Sequence, residues 1–247
     1  MTETHITFLN GKSACFIQVD GSVDLSVQLQ QIGLKGARPT LVVVGGASKI
    51  SEEVLSVLNR LFLEVLAPLA EEIGAYVVDG GTDAGVMQMM GQARTEIDAT
   101  FPLIGVAPIG KIGLPNALPL PTEKPLEPNH THFLLVPGSA WGDGSPWIAK
   151  AATVLAGNLP SLMLLINGGE ATLLDLIENV KAERPVVVIA GSGRLADEVT
   201  KALDMNQDGV RDDLVEVLQL GQISLLYLSY PLPELLNILR QKIIKEN

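Results

Sequence analysis

The sequence predicts an α/β fold built on a doubly wound, mainly parallel sheet with helices on both faces, preceded by an N-terminal β-hairpin. Three observations carry this. From Thr40 onward, the runs TLVVV, AYVVD, PLIGVA, HFLLV, SLMLLI and PVVVIA are nearly continuous in apolar character, as parallel strands buried on both faces are. Segments of helical period separate them. Several runs end in glycines that lead toward a helix, which places those glycines along one sheet edge.

The elements follow in order. HITF and SACFIQV flank LNGK, whose Asn10-Gly11 suits a tight turn with positive φ. The polar LQQIGLKGARP then leads to the first parallel strand. Over 51–74, Val54, Leu55, Leu58, Leu61, Phe62, Val65 and Leu66 form a helical apolar stripe, with Ser51 as cap and Gly74 as stop. The proline-rich GKIGLPNALPLPTEKPLEPN is longer than an ordinary connection, and loops of that length usually carry function or mobility. QISLLYLSY reads equally as strand or helix. PELLNILRQKIIKEN is an amphipathic helix suited to packing or to a dimer contact.

The 247 residues are read as one domain: 1–38 hairpin and connection, 39–198 motif-bearing core, 199–247 C-terminal extension. A net charge of −11 argues against nucleic-acid binding. No apolar run is long enough to span a bilayer, and the N-terminus lacks a secretory pattern. One cysteine, Cys15, excludes an internal disulfide framework, and these points together place the chain in the cytoplasm.

Four strand-end turns define the candidate crevice: VVVGGAS with Gly45, Gly46, Ala47 and Ser48; VVDGGTDAGVM with Gly80, Gly81 and Thr82; LLINGGEATLLD with Gly168, Gly169 and Thr172; and VVIAGSGRLAD with Gly191, Ser192, Gly193 and Arg194. Glycines there let a ligand approach the backbone, and helix N-termini offer N–H groups to an anion. GSGRLA fits a dinucleotide fingerprint but lacks a persuasive acidic partner, so it is weak alone. Four such turns on one edge point to a nucleotide-like or phosphate-bearing ligand.

In this order, the segments resemble the SLOG superfamily, which includes DprA-type proteins, lonely-guy-type nucleotide phosphoribohydrolases and the N-terminal homology region of melastatin-type TRP channels. VVDGGTDAGVMQMMG, PLIGVAPIGKI, EPNHTHFLLVPG, LLINGGEATLLDLIE and PVVVIAGSGRLAD are similar to successive signatures of that channel region and its stand-alone prokaryotic relatives, over roughly Pro39 to Glu198. The resemblance implies a Rossmann-like fold binding ADP-ribose or another nucleoside phosphate, often as a sensor, with no further cofactor. It implies that phosphates meet the amides of Gly45, Gly46, Ala47, Gly80, Gly81 and Thr82. Thr172 would add a hydroxyl and Arg194 a guanidinium fork. A surface Arg194 paired with Asp197 or Glu198 is the competing reading. Family habit favours a homodimer.

The phosphoribohydrolases cleave an N-glycosidic bond with a Pro-Gly-Gly-x-Gly-Thr-x-x-Glu motif and an arginine. Here that motif reads NGGEATLLD: Asn167 replaces the proline, Ala171 the third glycine and Asp175 the glutamate. The loop after IGVAPIG holds Lys111 and Lys124 but no arginine. Both changes count against hydrolysis; if the chain is an enzyme, Asp175 is the catalytic candidate. Asp175 also reads as a carboxylate favoured near a helix N-terminus.

Other signals carry less. DMNQDGVRDD resembles a calcium loop, but Val215 stands where a bidentate Glu is needed. Cys15 reads as a small buried hydrophobe, and Met87, Met89 and Met90 as core filling. Met87 and Gly85 are expected under the ligand rather than in contact with it. His130 and His132 have the spacing of residues on one strand face, yet nothing in the sequence completes a metal site around them. The chemistry of that stretch is expected downstream, in the loop with Gly138, Ser139 and Trp141.

Overall fold

The computed structural model describes residues 5–19, 21–114, 123–204 and 211–244. Asn206, Asp208 and Gly209 of the calcium-like segment, and 115–122 of the proline-rich loop, lie outside the described residues. The hairpin pairs β1 (His5–Thr7) with β2 (Ser13–Gln18), and Gly11 takes φ +80° in its turn. There follow α1 (Leu25–Gln31), β3 (Thr40–Gly45), α2 (Glu52–Leu61), a π turn (Phe62–Leu66), α3 (Ala67–Glu72), β4 (Tyr76–Asp79), α4 (Gly85–Glu96) and β5 (Leu103–Pro108). Two short strands, β6 (Ile112–Gly113) and β7 (Lys124–Pro125), pair with each other. The chain continues through β8 (His132–Val136), α5 (Ser145–Ala156), β9 (Ser161–Ile166), α6 (Glu170–Lys181), β10 (Val186–Ala190), α7 (Arg194–Asp204), α8 (Asp212–Leu220), β11 (Ile223–Tyr227) and α9 (Leu232–Ile244).

Nine strands form one sheet in the order β1-β2-β8-β5-β4-β3-β9-β10-β11, parallel throughout except for the β1–β2 hairpin. All six runs predicted as parallel strands are strands. The order reverses between β3 and β9: the chain grows outward through β4, β5 and β8, then returns beside β3 and grows the other way. Such reversal points open a crevice at the carboxyl ends of the strands.

Each central strand feeds two cores because successive side chains alternate in direction. Val42 and Val44 of β3, with Met163 and Leu165 of β9, face α1, α5, α6, α7 and α8. Leu41, Val43, Leu162 and Leu164 face α2, α3, α4 and α9. A third, smaller core lies where the hairpin meets β5 and β8.

Ser51 Oγ accepts from Val54 N–H at the start of α2, and Gly74 takes φ +60° just past α3, as predicted. The stripe differs in one place: Leu55 is 37% exposed, while Leu58, Leu61, Phe62, Val65 and Leu66 are fully buried. Farther along, the π turn at Phe62–Leu66 inserts extra backbone, so a uniform 3.6-residue period does not describe the whole stretch. QISLLYLSY resolves as the edge strand β11, parallel to β10. The apolar face of α9 (Leu235, Leu239, Ile243) packs inside the chain, and Arg240 pairs with Glu72 at 2.6 Å. That face is therefore engaged within the chain and supplies no argument for a dimer.

Candidate functional site

The end of β3, the loops after β4 and β8, the end of β5 and the start of α6 meet at the reversal point around a cavity of about 120 Å³. Gly45 closes β3 and Gly80 and Thr82 follow β4. Met87 stands on α4, Val106 and Pro108 on β5, and Ala171, Thr172 and Asp175 on α6. The loop after β8 contributes Trp141, Gly142, Gly144 and Ser145. Close approach at this edge requires glycine. A Cβ on Gly45, at φ +143°, would lie 1.8 Å from the Ile166 carbonyl oxygen, and one on Gly81, at φ +68°, would lie 2.8 Å from the Gly105 Cα.

The predicted residues separate into groups. Gly45, Gly80, Thr82 and Thr172 border the cavity, joined by Asp175 and Trp141. Thr172 Oγ1 accepts from Gly169 N–H at 3.2 Å, fixing the start of α6. Beside it, the Arg194 guanidinium lies over Gly169 and donates to Ser48 Oγ at 2.8 Å. Arg194 thus spans the turns after β3, β9 and β10. Asp197, offered as its salt-bridge partner, instead accepts from Gly191 N–H at 2.7 Å.

Several expectations require correction. The Gly46 amide donates to the Ile166 carbonyl at 3.1 Å, and the Gly81 amide to Asp79 Oδ1 at 2.7 Å. Both hold the crevice walls in place rather than facing an anion. Ser192 is fully buried, with its hydroxyl donating to Ile189 O and accepting from Asn167 N–H. Gly193 packs against Asn167 and Ile50. Gly191 lines a separate hollow at the ends of β10 and β11, with Tyr227 and Lys201. Gly138 accepts from Gly110 N–H, and Ser139 N–H donates to Asp143; the loop reaches the cavity only from Trp141 onward. Met87, expected beneath the ligand, lines the cavity, while Met89 and Met90 are core residues. Gly46 and Ala47 rest against Gly85.

Asp175 is the cavity's only ionisable side chain among the described residues. It lies in the second turn of α6, beyond the first turn where a helix N-terminus favours a carboxylate, and accepts instead from Ser145 Oγ at 2.6 Å. Burial pushes its carboxyl up to about 7 against the opposing Ser145 hydrogen bond. Asn167 is a residue that sequence reasoning undervalued. Fully buried at φ +56°, it donates through Nδ2 to Ser48 O and Ser192 O, clamping three turns together. Its Oδ1 is buried without a partner among the described residues.

The family model described as SLOG in TRPM, prokaryote, matches residues 38–230. The chain belongs to that family. It is 27% identical over 239 residues to the transient receptor potential cation channel subfamily M member-like 2 of Nematostella vectensis, covering 80% of this chain and 15% of that protein. It is 24% identical over 250 residues to subfamily M member 2 of Mus musculus, covering 85% of this chain and 16% of that protein. This SLOG chain thus spans less than a fifth of the length of those channels. The X-ray structure of TM1055 superposes with a TM-score of 0.51 at 17% identity, over 82% of this chain and 99% of that one, and supports the fold. Among the described residues of the SLOG chain, no helix is long and apolar enough to cross a membrane.

His130 and His132 of the SLOG chain occupy opposite environments. His132, on β8, meets the Ile32 carbonyl at 3.1 Å, and burial pushes it down to about 4. His130 precedes the strand, is fully enclosed, and contacts Asp79 and Glu127 at 2.8 Å each. Burial opposes its charge, but the two carboxylates outweigh burial and push it up to about 9. The pair does not share a face, and no group of three or more His, Cys, Asp or Glu arranged for a metal occurs among the described residues.

Proposed function

We propose that this chain binds a nucleotide-derived ligand, ADP-ribose-like or another nucleoside phosphate, at the carboxyl ends of β3, β4 and β9, and acts as a sensor without cleaving it. The observation that carries this reading is the convergence of Gly45, Gly80, Thr82 and Thr172 on one cavity, with the Arg194 fork at its side. A fixed guanidinium suits a phosphate or a ribose diol. The cavity is smaller than the roughly 300–1,000 Å³ of a typical ligand site. It therefore suits one end of the ligand, with the remainder along the rim between Ser48 and Trp141. Trp141, 43% exposed, offers a face on which a base stacks. The single cysteine, with no CxxC in the sequence, supports a cytoplasmic setting. The test is a thermal-shift panel of AMP, ADP, ADP-ribose and NAD on the full chain. At least one should stabilise it by mass action, and an unmoved Tm across the panel at millimolar ligand would remove the reading.

A second reading, N-glycosidic hydrolysis of a nucleoside monophosphate, has one specific observation in its favour. A carboxyl raised to about 7 inside the cavity can hold and donate a proton at neutral pH. Against it, Asp175 is a methylene shorter than the glutamate of the hydrolases, and no arginine lines the cavity among the described residues. Incubation with AMP should yield no free adenine. Release that disappears in Asp175→Asn would establish the enzyme instead.

A further inference from the structure

Directly beneath the Gly80–Thr82 turn lies an ionic group that the ligand site itself does not include. Asp79, the last residue of β4, is completely buried. Its Oδ1 accepts from Gly81 N–H at 2.7 Å and meets His130 Nε2 at 2.8 Å, while its Oδ2 is buried without a partner among the described residues. An unsatisfied carboxylate oxygen in such a place is costly unless a cation offsets it. The imidazolium of His130 does so, stacked on Phe133.

The other ring nitrogen of His130 contacts Glu127 Oε2 at 2.8 Å. Glu127 belongs to the strap that crosses the same turn. Its N–H donates to Gly81 O, and Asp83 N–H donates to Pro125 O. His130 therefore grips Gly81 from two sides, through Asp79 below and through the strap above. Arg94 of α4 also acts on Glu127, and Lys12 of the hairpin donates to Asn129, which in turn donates to Glu127.

We infer that His130 is a positioning residue of the ligand site: its bond to Asp79 fixes the Gly81 N–H, and so presents the flanking Gly80 and Thr82 to the cavity. This rests on the ligand reading above for its functional meaning, while the coupling itself exists in the free chain. Loss of one proton leaves the ring a single N–H for two carboxylates, so either Asp79 beneath Gly81 or Glu127 in the strap loses its bond to His130 and the grip on the turn loosens. The positioning acts through the protein's own groups and involves no contact between His130 and ligand.

The test uses the full chain labelled with 15N-glycine and 15N-histidine. At pH 7.5 both His130 ring nitrogens carry protons, and the Gly80 and Gly81 amide signals follow the His130 titration as pH rises through about 9. His130→Gln displaces those two signals while Gly157 and Gly221, remote from the turn, keep theirs. It weakens ADP-ribose binding at least about tenfold. If that variant does not fold, Glu127→Gln moves the shared titration of His130, Gly80 and Gly81 to lower pH. A neutral His130 at pH 7.5, or Gly80 and Gly81 signals indifferent to its charge, would overturn the inference. Glycine signals that respond in a chain to which ADP-ribose, AMP and NAD do not bind would remove the ligand reading and leave the positioning intact.

Discussion

The Ser145 hydroxyl donates to an Asp175 carboxyl oxygen across 2.6 Å, joining the first residue of α5 to the second turn of α6 beside the cavity. Because burial raises the Asp175 pKa to about 7, above its ordinary 3.8, the proton stabilises the fold at low pH and that stabilisation is lost as pH rises through about 7. Asp175→Asn keeps the acceptor for Ser145 and removes the charge. Urea unfolding should show the variant on the order of 1–2 kcal/mol more stable at pH 8.5 and little changed at pH 4. Equal stability of the two proteins at pH 8.5 would contradict this.

His130 and His132 pull the pH profile in opposite directions. The folded pKa of His130 lies near 9, so its contribution is fully present below about 6.5 and lost as pH rises through 9. That of His132 lies near 4, so its contribution is present above about 6.5 and lost as pH falls through 4. For His130 the alkaline loss is on the order of 3 kcal/mol. His130→Gln should flatten the alkaline limb of stability against pH, and His132→Gln the acid limb. Unchanged limbs would show that neither ring titrates as described.

Arg194 holds φ +51°, a conformation that costs a side-chain-bearing residue roughly 1 kcal/mol. Arg194→Gly should therefore leave Tm unchanged or higher while weakening ADP-ribose binding at least about tenfold. A variant that loses stability but keeps its affinity would place Arg194 among the structural residues.

Gly45 offers the opposite test. A methyl group there meets the Ile166 carbonyl at 1.8 Å, with backbone on both sides of the clash. Gly45→Ala should cost more than about 3 kcal/mol or prevent folding, read by circular dichroism and urea denaturation. A mild effect would mean that β3 and β9 separate more easily than their parallel pairing implies.

The sheet was legible because its strands are buried on both faces and so read as uninterrupted apolar runs, from Thr40 to Ala190. The crevice edge was legible through glycines at their ends. What no local pattern conveys is which groups each turn engages. Gly46 and Gly81 look like phosphate-binding amides, yet their partners, Ile166 and Asp79, emerge only when β3 lies beside β9 and Gly81 folds back on β4. His130 and Asp79 are 51 residues apart in sequence and meet across β5, which lies between β4 and β8 in the sheet. The π turn at Phe62–Leu66 and the entry of Trp141 rather than Ser139 into the cavity likewise depend on tertiary packing.

The most direct measurement is calorimetric titration of the full chain with ADP-ribose, AMP and NAD, alongside amide mapping of its 15N-labelled glycines. The expected result is saturable binding by at least one of the three. Its largest perturbations should fall at Gly45, Gly80 and Gly169, and its affinity should drop at least about tenfold in Arg194→Ala. No saturable binding by any of them, or perturbations confined to Gly191, Gly157 and Gly221, would contradict the assignment of the crevice as a nucleotide site.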